Sequence, residues 1–150
     1  MKCIEKSETP PAYLEDWKRD FPRLEPRLRR GPRYEDLYRY DHIKQRLNSD
    51  LVSEQFYICC YCGMRIELGD NSFHIEHLKP RHTHLGLQLD YYNMLASCNG
   101  HDRKHCGHFK DKGRERHDEN LMVSPLDTQC SEYFIVTTQR ASLPLRIPAV

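Results

Sequence analysis

The chain has 150 residues, 38% of them hydrophobic and 30% charged, and a formal net charge of +1. That length fits one domain with a small core, and a core of this size often depends on a staple. No run approaches the roughly 18 apolar residues of a membrane span, and the near-neutral balance excludes polyanion binding by bulk charge alone.

Residues 1–33 are rich in Pro, Arg and Glu. Pro10-Pro11 precedes a short predicted helix, Ala12 to Asp20, with Tyr13, Leu14 and Trp17 at helical spacing. Pro22, Pro26 and Pro32 are expected to break regular structure, so the segment reads as an extended arm lying on the domain or on a partner. Residues 23–33 hold five Arg against one Glu, and residues 102–116 hold six basic and three acidic side chains. Either run could face phosphates, or form an ordinary solvated surface.

Residues 34–57 form the second segment. Leu37, Tyr40, Ile43, Leu47 and Leu51 recur at spacings of three and four and predict a helical stripe for the core, with Asn48-Ser49-Asp50 as a candidate break and second N-cap. Residues 58–118 change character. Met64 to Leu68 alternates like a strand, Gly69 to Ser72 reads as a hairpin turn, and Phe73 to Leu78 as the returning strand. Alternation puts His74 and Glu76 on one face and His77 on the other. Tyr91 to Ser97 reads as a turn or short helix, and Cys106 to about Arg116 as a helix or turn carrying His108 back over the hairpin. Residues 119–150 hold one plausible strand, Tyr133 to Thr138, and a tail punctuated by Pro.

Five of the seven cysteines fall between Cys59 and Cys106. Met1 to Glu5 has no apolar run behind it, which predicts a cytoplasmic chain without a signal peptide. Thiols stay reduced there, so clustered cysteines mean metal or catalysis before disulfides. Cys59-x-x-Cys62-Gly63 is a zinc-knuckle turn, and Cys98 with Cys106 supplies a second, wider pair, with His101 or His105 able to replace one sulfur. Cys60, beside a ligand, is expected to stay off the metal. A second constellation is Glu76-His77 with His108. A carboxylate and an imidazole can hold a divalent cation, while an adjacent imidazole takes a proton from water. His74, His82 and His84 are alternatives for the ligand.

The order Cys-x-x-Cys, Glu76-His77-Leu78-Lys79-Pro80, a central Asn93, then a Cys pair followed by His and Lys resembles the HNH, or ββα-metal, endonucleases. Glu54 to Cys62 ahead of His74-Ile75-Glu76-His77, and Ser97-Cys98-Asn99 ahead of Cys106-Gly107-His108-Phe109-Lys110, are most similar to the PtuB-type effectors of retron and Septu anti-phage systems, as are Met1 to Ile4, Pro10-Pro11 and Trp17. The resemblance implies an α+β fold: a helical N-terminal part followed by a zinc-stabilised ββα-metal core. It implies His77 as general base, Glu76 and His108 as ligands of a catalytic Mg²⁺ or Mn²⁺, and Asn93 as the residue fixing the loop that orients the base. Asn99 or His105 remain open for the last ligand. Structural zinc falls to Cys59, Cys62, Cys98 and Cys106, and nucleic-acid contacts to Lys79, Arg81 and Lys110. Expected partners are DNA, with RNA a further candidate, an ABC-type ATPase of the PtuA kind, and in retron versions a reverse transcriptase with its RNA–DNA product. The competing reading is a zinc-stabilised binding module without catalysis, which would not need Glu76, His77 and His108 together.

Overall fold

A computed structural model describes residues 2–69, 71–100, 105–110 and 121–134. Its elements in chain order are α1 (Ala12–Leu24), α2 (Asp41–Glu54), β1 (Phe73–His77), β2 (Met94–Cys98) and α3 (Cys106–Lys110), joined by short 3-10 turns. The fold is α+β, with helices set against a two-stranded antiparallel sheet.

Residues 2–11 of the N-terminal segment have no helix or strand, and the helix that follows is longer than expected. Leu14, Trp17 and Phe21 are buried along one face of α1, which runs on through Pro22 to Leu24. Pro22 removes one hydrogen bond near the helix end, a loss that the buried stripe outweighs. Trp17 meets Phe21 and Tyr40 edge-on at centroid distances of 5.6 and 5.5 Å. Trp17 and Phe21 of this helix therefore form core, with Tyr13 packed against it. The arginines that follow are divided: Arg30 pairs with buried Asp36 at 2.7 Å, and Arg39 with Glu25 at 3.1 Å, while Arg23, Arg27, Arg29 and Arg33 are exposed.

Residues 34–39 form a 3-10 turn, and α2 begins only at Asp41. It is continuous through Asn48–Asp50, because Leu47, Leu51 and Val52 are buried on one face and Asp50 accepts a hydrogen bond from the Tyr13 hydroxyl at 2.8 Å instead of capping a new helix.

The expected hairpin does not form. Residues 64–68 pair only through a single bridge, Ile58 with Arg65, inside the knuckle turn. β1 pairs instead with β2, in the register Phe73 with Cys98, Ile75 with Ala96 and His77 with Met94. Tyr91 to Asn93 is the expected turn, but Met94 to Cys98 is a strand with every residue buried. A strand covered on both faces shows no alternation, which is why its pattern is silent in sequence. Tyr133 closes a 3-10 turn, and residues 135–138 of the expected C-terminal strand lie outside the described residues, as do residues 111–116 beyond α3.

The far side of β2 is closed by a side chain. Gln55, 1% exposed, accepts from the Ala96 N–H at 2.7 Å and donates to the Ala96 and Ile58 carbonyls at 2.8 and 2.9 Å. A second apolar cluster of Ile4, Cys60, Leu78 and Leu95, flanked by Met122 and Leu126, lies behind the sheet. Replacing Gln55 by Ala strips Ala96 of β2 of an acceptor and a donor, and the Ile58 carbonyl of a donor. At ~1–3 kcal/mol for each buried group left unmade, the expected loss is about 2–4 kcal/mol, read as a fall in Tm of roughly 10 °C by thermal denaturation.

Candidate metal centre and the two faces of β1

Four cysteines converge although their pairs lie more than thirty residues apart. Cys59 and Cys62 leave the knuckle, whose turn needs Gly63 at φ 72°, a left-handed conformation that glycine adopts without strain. Cys98 ends β2 and Cys106 opens α3. Their Sγ atoms all lie within 4.8 Å of one another, a set that can hold a metal ion. Cys62 to Cys98 is 3.6 Å and Cys98 to Cys106 is 3.7 Å. Disulfide sulfurs sit about 2.05 Å apart. Four sulfurs around one ion at about 2.3 Å stand roughly 3.8 Å from each other, and that spacing matches.

The electrostatics point the same way. The Cys106 and Cys60 thiols and backbone N–H groups stabilise Cys59 as a thiolate, far below its ordinary range. Burial and that nearby charge push Cys98 up to about 12, and the hydrogen bond to Cys59 raises Cys106 further. Thiols this crowded resist sharing more than one negative charge unless a cation sits among them. Cys60 stays out of the set, buried with Ile4 and Leu95. His105 touches the rim, its Nδ1 3.0 Å from Cys106 Sγ, but the four sulfurs are together without it. His101 lies outside the described residues.

β1 presents two different faces where it ends. On one face His77 is 6% exposed and packs edge-on against Tyr34 at 4.8 Å. Its Nε2 lies 2.9 Å from the Gln88 carbonyl oxygen. Only a donor satisfies a carbonyl, so Nε2 carries the proton and Nδ1 keeps its lone pair. Burial lowers the His77 pKa to about 4, which holds the ring neutral at ordinary pH. The loop from Lys79 to Gln88 that supplies this carbonyl is locked by buried Asn93. Its Oδ1 accepts from Lys79 N at 2.8 Å, and its Nδ2 donates to the Lys79 and Leu87 carbonyls at 3.1 and 3.0 Å. The N-terminal half completes the wall: Tyr34 N–H donates to Gln88 Oε1 at 3.1 Å.

On the other face Glu76 is 1% exposed. Its Oε1 accepts from Lys110 Nζ at 2.6 Å and from the Tyr61 hydroxyl at 2.8 Å. Its Oε2 is buried without a hydrogen bond and faces His74 Nε2 at 3.5 Å. Burial alone would raise this carboxyl, but His74, Lys110 and Tyr61 together hold it below the usual range. Asn99 Oδ1 lies 2.9 Å from His74 Nδ1 and 3.1 Å from His108 Nε2, and the two rings stack at 4.2 Å.

The remaining expected residues divide. Lys110 is 9% exposed and donates to the carbonyls of His77 and Leu78 as well as to Glu76, so it braces the end of β1. Lys79 is exposed. Arg81 pairs with Glu35 at 2.7 Å and lies over Tyr34. His82 is exposed on the loop, and His84 pairs with Thr83. Sequence reasoning missed Gln55, Gln88, Tyr61 and Gly107. Gln88 meets His77 through its backbone carbonyl and Gly107 acts through lacking a side chain, so neither contact leaves a residue-type signal.

The chain matches no known protein family and none of the curated proteins. No helix among the described residues is long and apolar enough to cross a membrane.

The metal centre makes a direct prediction. The purified chain carries one tightly bound transition-metal ion by elemental analysis. Cys98→Ser loses it, and far-UV circular dichroism loses structure with it, because folding and binding are linked at such sites. Cys60→Ser keeps full metal content. An equal metal content in Cys98→Ser would show that the cluster is not the site.

Proposed function

We propose that this chain is a metal-dependent endonuclease of the HNH kind that hydrolyses phosphodiester bonds in DNA. The observation that carries this reading is the end of β1. There a neutral His77 of fixed tautomer and a buried, charged Glu76 occupy adjacent positions on opposite faces of one strand. The order of β1, β2 and α3, with the cysteines at their junctions, agrees with a ββα core held by structural zinc. Asn93 fits the loop-fixing role, since it ties the loop that carries the Gln88 carbonyl.

In this reading the residues act as follows. The Gln88 carbonyl holds His77 so that Nδ1 accepts a proton from the attacking water as its oxygen bonds to phosphorus. The bond from phosphorus to the 3′ oxygen breaks, leaving a 5′-phosphate and a 3′-hydroxyl. Glu76 and His108 are the residues that would hold a divalent cation, Mg²⁺ or Mn²⁺, and that ion supplies Lewis-acid stabilisation of charge on the phosphate and the leaving oxygen. The orphaned, buried Glu76 Oε2 fits such an ion. Lys110 and Tyr61 fix the carboxylate from its other oxygen. Lys79, exposed two residues beyond β1, is a cation that would meet the backbone of the nucleic acid.

The biological setting rests on the sequence likeness to PtuB-type effectors. On that basis the chain is a cytoplasmic, toxic subunit of a bacterial anti-phage system. It would be controlled by an ABC-type ATPase and, in a retron, by a reverse transcriptase with its RNA–DNA product.

Plasmid cleavage in Mg²⁺ and in Mn²⁺ tests the chemistry. The wild type is expected to nick and linearise the plasmid, and His77→Ala to slow this by about 10²- to 10⁴-fold with circular dichroism and zinc content unchanged. Equal cleavage by the variant would remove His77 from the base role. A wild type inert in both metals, with its ATPase present, would overturn the nuclease reading.

A further inference from the structure

The arginines of this chain fall into two groups. Arg19, Arg30, Arg39, Arg65 and Arg81 each pair with a carboxylate, and Arg46 lies over the Tyr13 ring. Arg23, Arg27, Arg29 and Arg33 are exposed and have no acidic partner among the described residues. All four stand in one stretch, residues 23–33. The carboxylates nearest to them in the chain are engaged elsewhere. Glu25 accepts from the Tyr40 hydroxyl at 3.1 Å and pairs with Arg39. Glu35 pairs with Arg81 at 2.7 Å. Asp36 is buried and holds the Arg30 guanidinium through two bonds, at 2.7 and 3.0 Å. The stretch thus keeps a local excess of positive charge on a chain whose formal net charge is only +1.

This stretch is also held in shape. Leu28 packs against the core, and its N–H donates to the Glu25 carbonyl at 3.1 Å. Arg33 N–H donates to the Asp36 carboxylate at 2.7 Å, and Asp36 N–H returns a bond to the Arg33 carbonyl at 3.0 Å. Charges fixed in place lose less entropy on binding than charges on a loose tail. One end of the stretch reaches the His77 face. Tyr34, the neighbour of Arg33, packs edge-on against His77 at 4.8 Å, and Arg81 lies over the Tyr34 ring at 4.4 Å.

We propose that residues 23–33 form a track for the DNA backbone, on which Arg27, Arg29 and Arg33 hold phosphates away from the bond that is cut. Charge complementarity selects the partner. A guanidinium meets a phosphate through two parallel hydrogen bonds, and arginines with no acid among them suit a polyanion. Contacts of this kind position a duplex without reading its bases. The track therefore supplies affinity and register, not sequence preference. The choice of DNA as the polyanion rests on the nuclease reading, and binding can be measured apart from cleavage.

The test is the binding of a fluorescein-labelled DNA duplex of mixed sequence to the full chain, by anisotropy over a series of KCl concentrations without added Mg²⁺. The track variant combines Arg27→Gln, Arg29→Gln and Arg33→Gln. A control variant combines Arg19→Gln, Arg46→Gln and Arg65→Gln and removes the same charge elsewhere. Each phosphate contact adds about 0.9 to the slope of log affinity against log salt. The track variant is expected to lower that slope by about 2 to 3 and to weaken binding about tenfold or more at low salt. The control variant keeps the wild-type slope, and both keep their zinc content and circular dichroism. A track slope within about 1 of the control slope makes the stretch a solvated surface and overturns the proposal. Cleavage by the wild type in Mn²⁺, followed alongside, then still supports the nuclease reading. A wild type that binds through these arginines but cuts nothing leaves the track in place and removes the chemistry. A wild type that does not bind the duplex at low salt overturns the track.

Discussion

The convergence of four cysteine sulfurs is the constraint on which this structure rests. α3 spans only five residues, Cys106–Lys110, far short of what a helix needs to persist by itself. Its first residue is bound into the cluster, which joins it to the end of β2 and to the knuckle after α2. The same junction sets how closely α3 approaches β1, and therefore where Gly107, His108 and Lys110 stand relative to Glu76. A chain with so few apolar residues has little packing energy with which to fix that approach otherwise.

β1 then distributes chemistry by alternation. A step of one residue moves a side chain to the opposite face, so Glu76 and His77 share a backbone bond but not an environment. Glu76 lies among Tyr61, His74 and Lys110 and stays charged. His77 lies against Tyr34 and a carbonyl and stays neutral. A charged carboxylate and a neutral imidazole are kept apart by the pleat of a single strand.

The N-terminal half is more than a cover for this sheet. Gln55 stands in for a third strand by bonding both backbone groups of Ala96. Tyr34 and its turn close over His77 and the loop that orients it, and Lys18 reaches the Leu89 carbonyl from α1 at 3.2 Å. Helices, loop and strand end are thus one packed unit, and the geometry around His77 depends on residues more than forty positions earlier in the chain.

The sequence by itself determined the chemistry-bearing set. Cysteine spacing named the four sulfurs, the pairing Glu76-His77 named a carboxylate and an imidazole, and period two put them on opposite faces. These are local signals, carried by residue type and short-range geometry. The tertiary structure alone decided that β1 pairs with β2 and not with residues 64–68. It also decided that α1 is core in spite of Pro22, and that His74, Asn99 and Gly107 gather about Glu76. Strand partners are chosen by which buried surfaces fit, and Met94 to Cys98 is buried on both faces, so it carries no alternation for a reader of the sequence to follow. A backbone carbonyl such as that of Gln88, or the absent side chain of Gly107, has its effect only through position, and position is fixed by the whole fold.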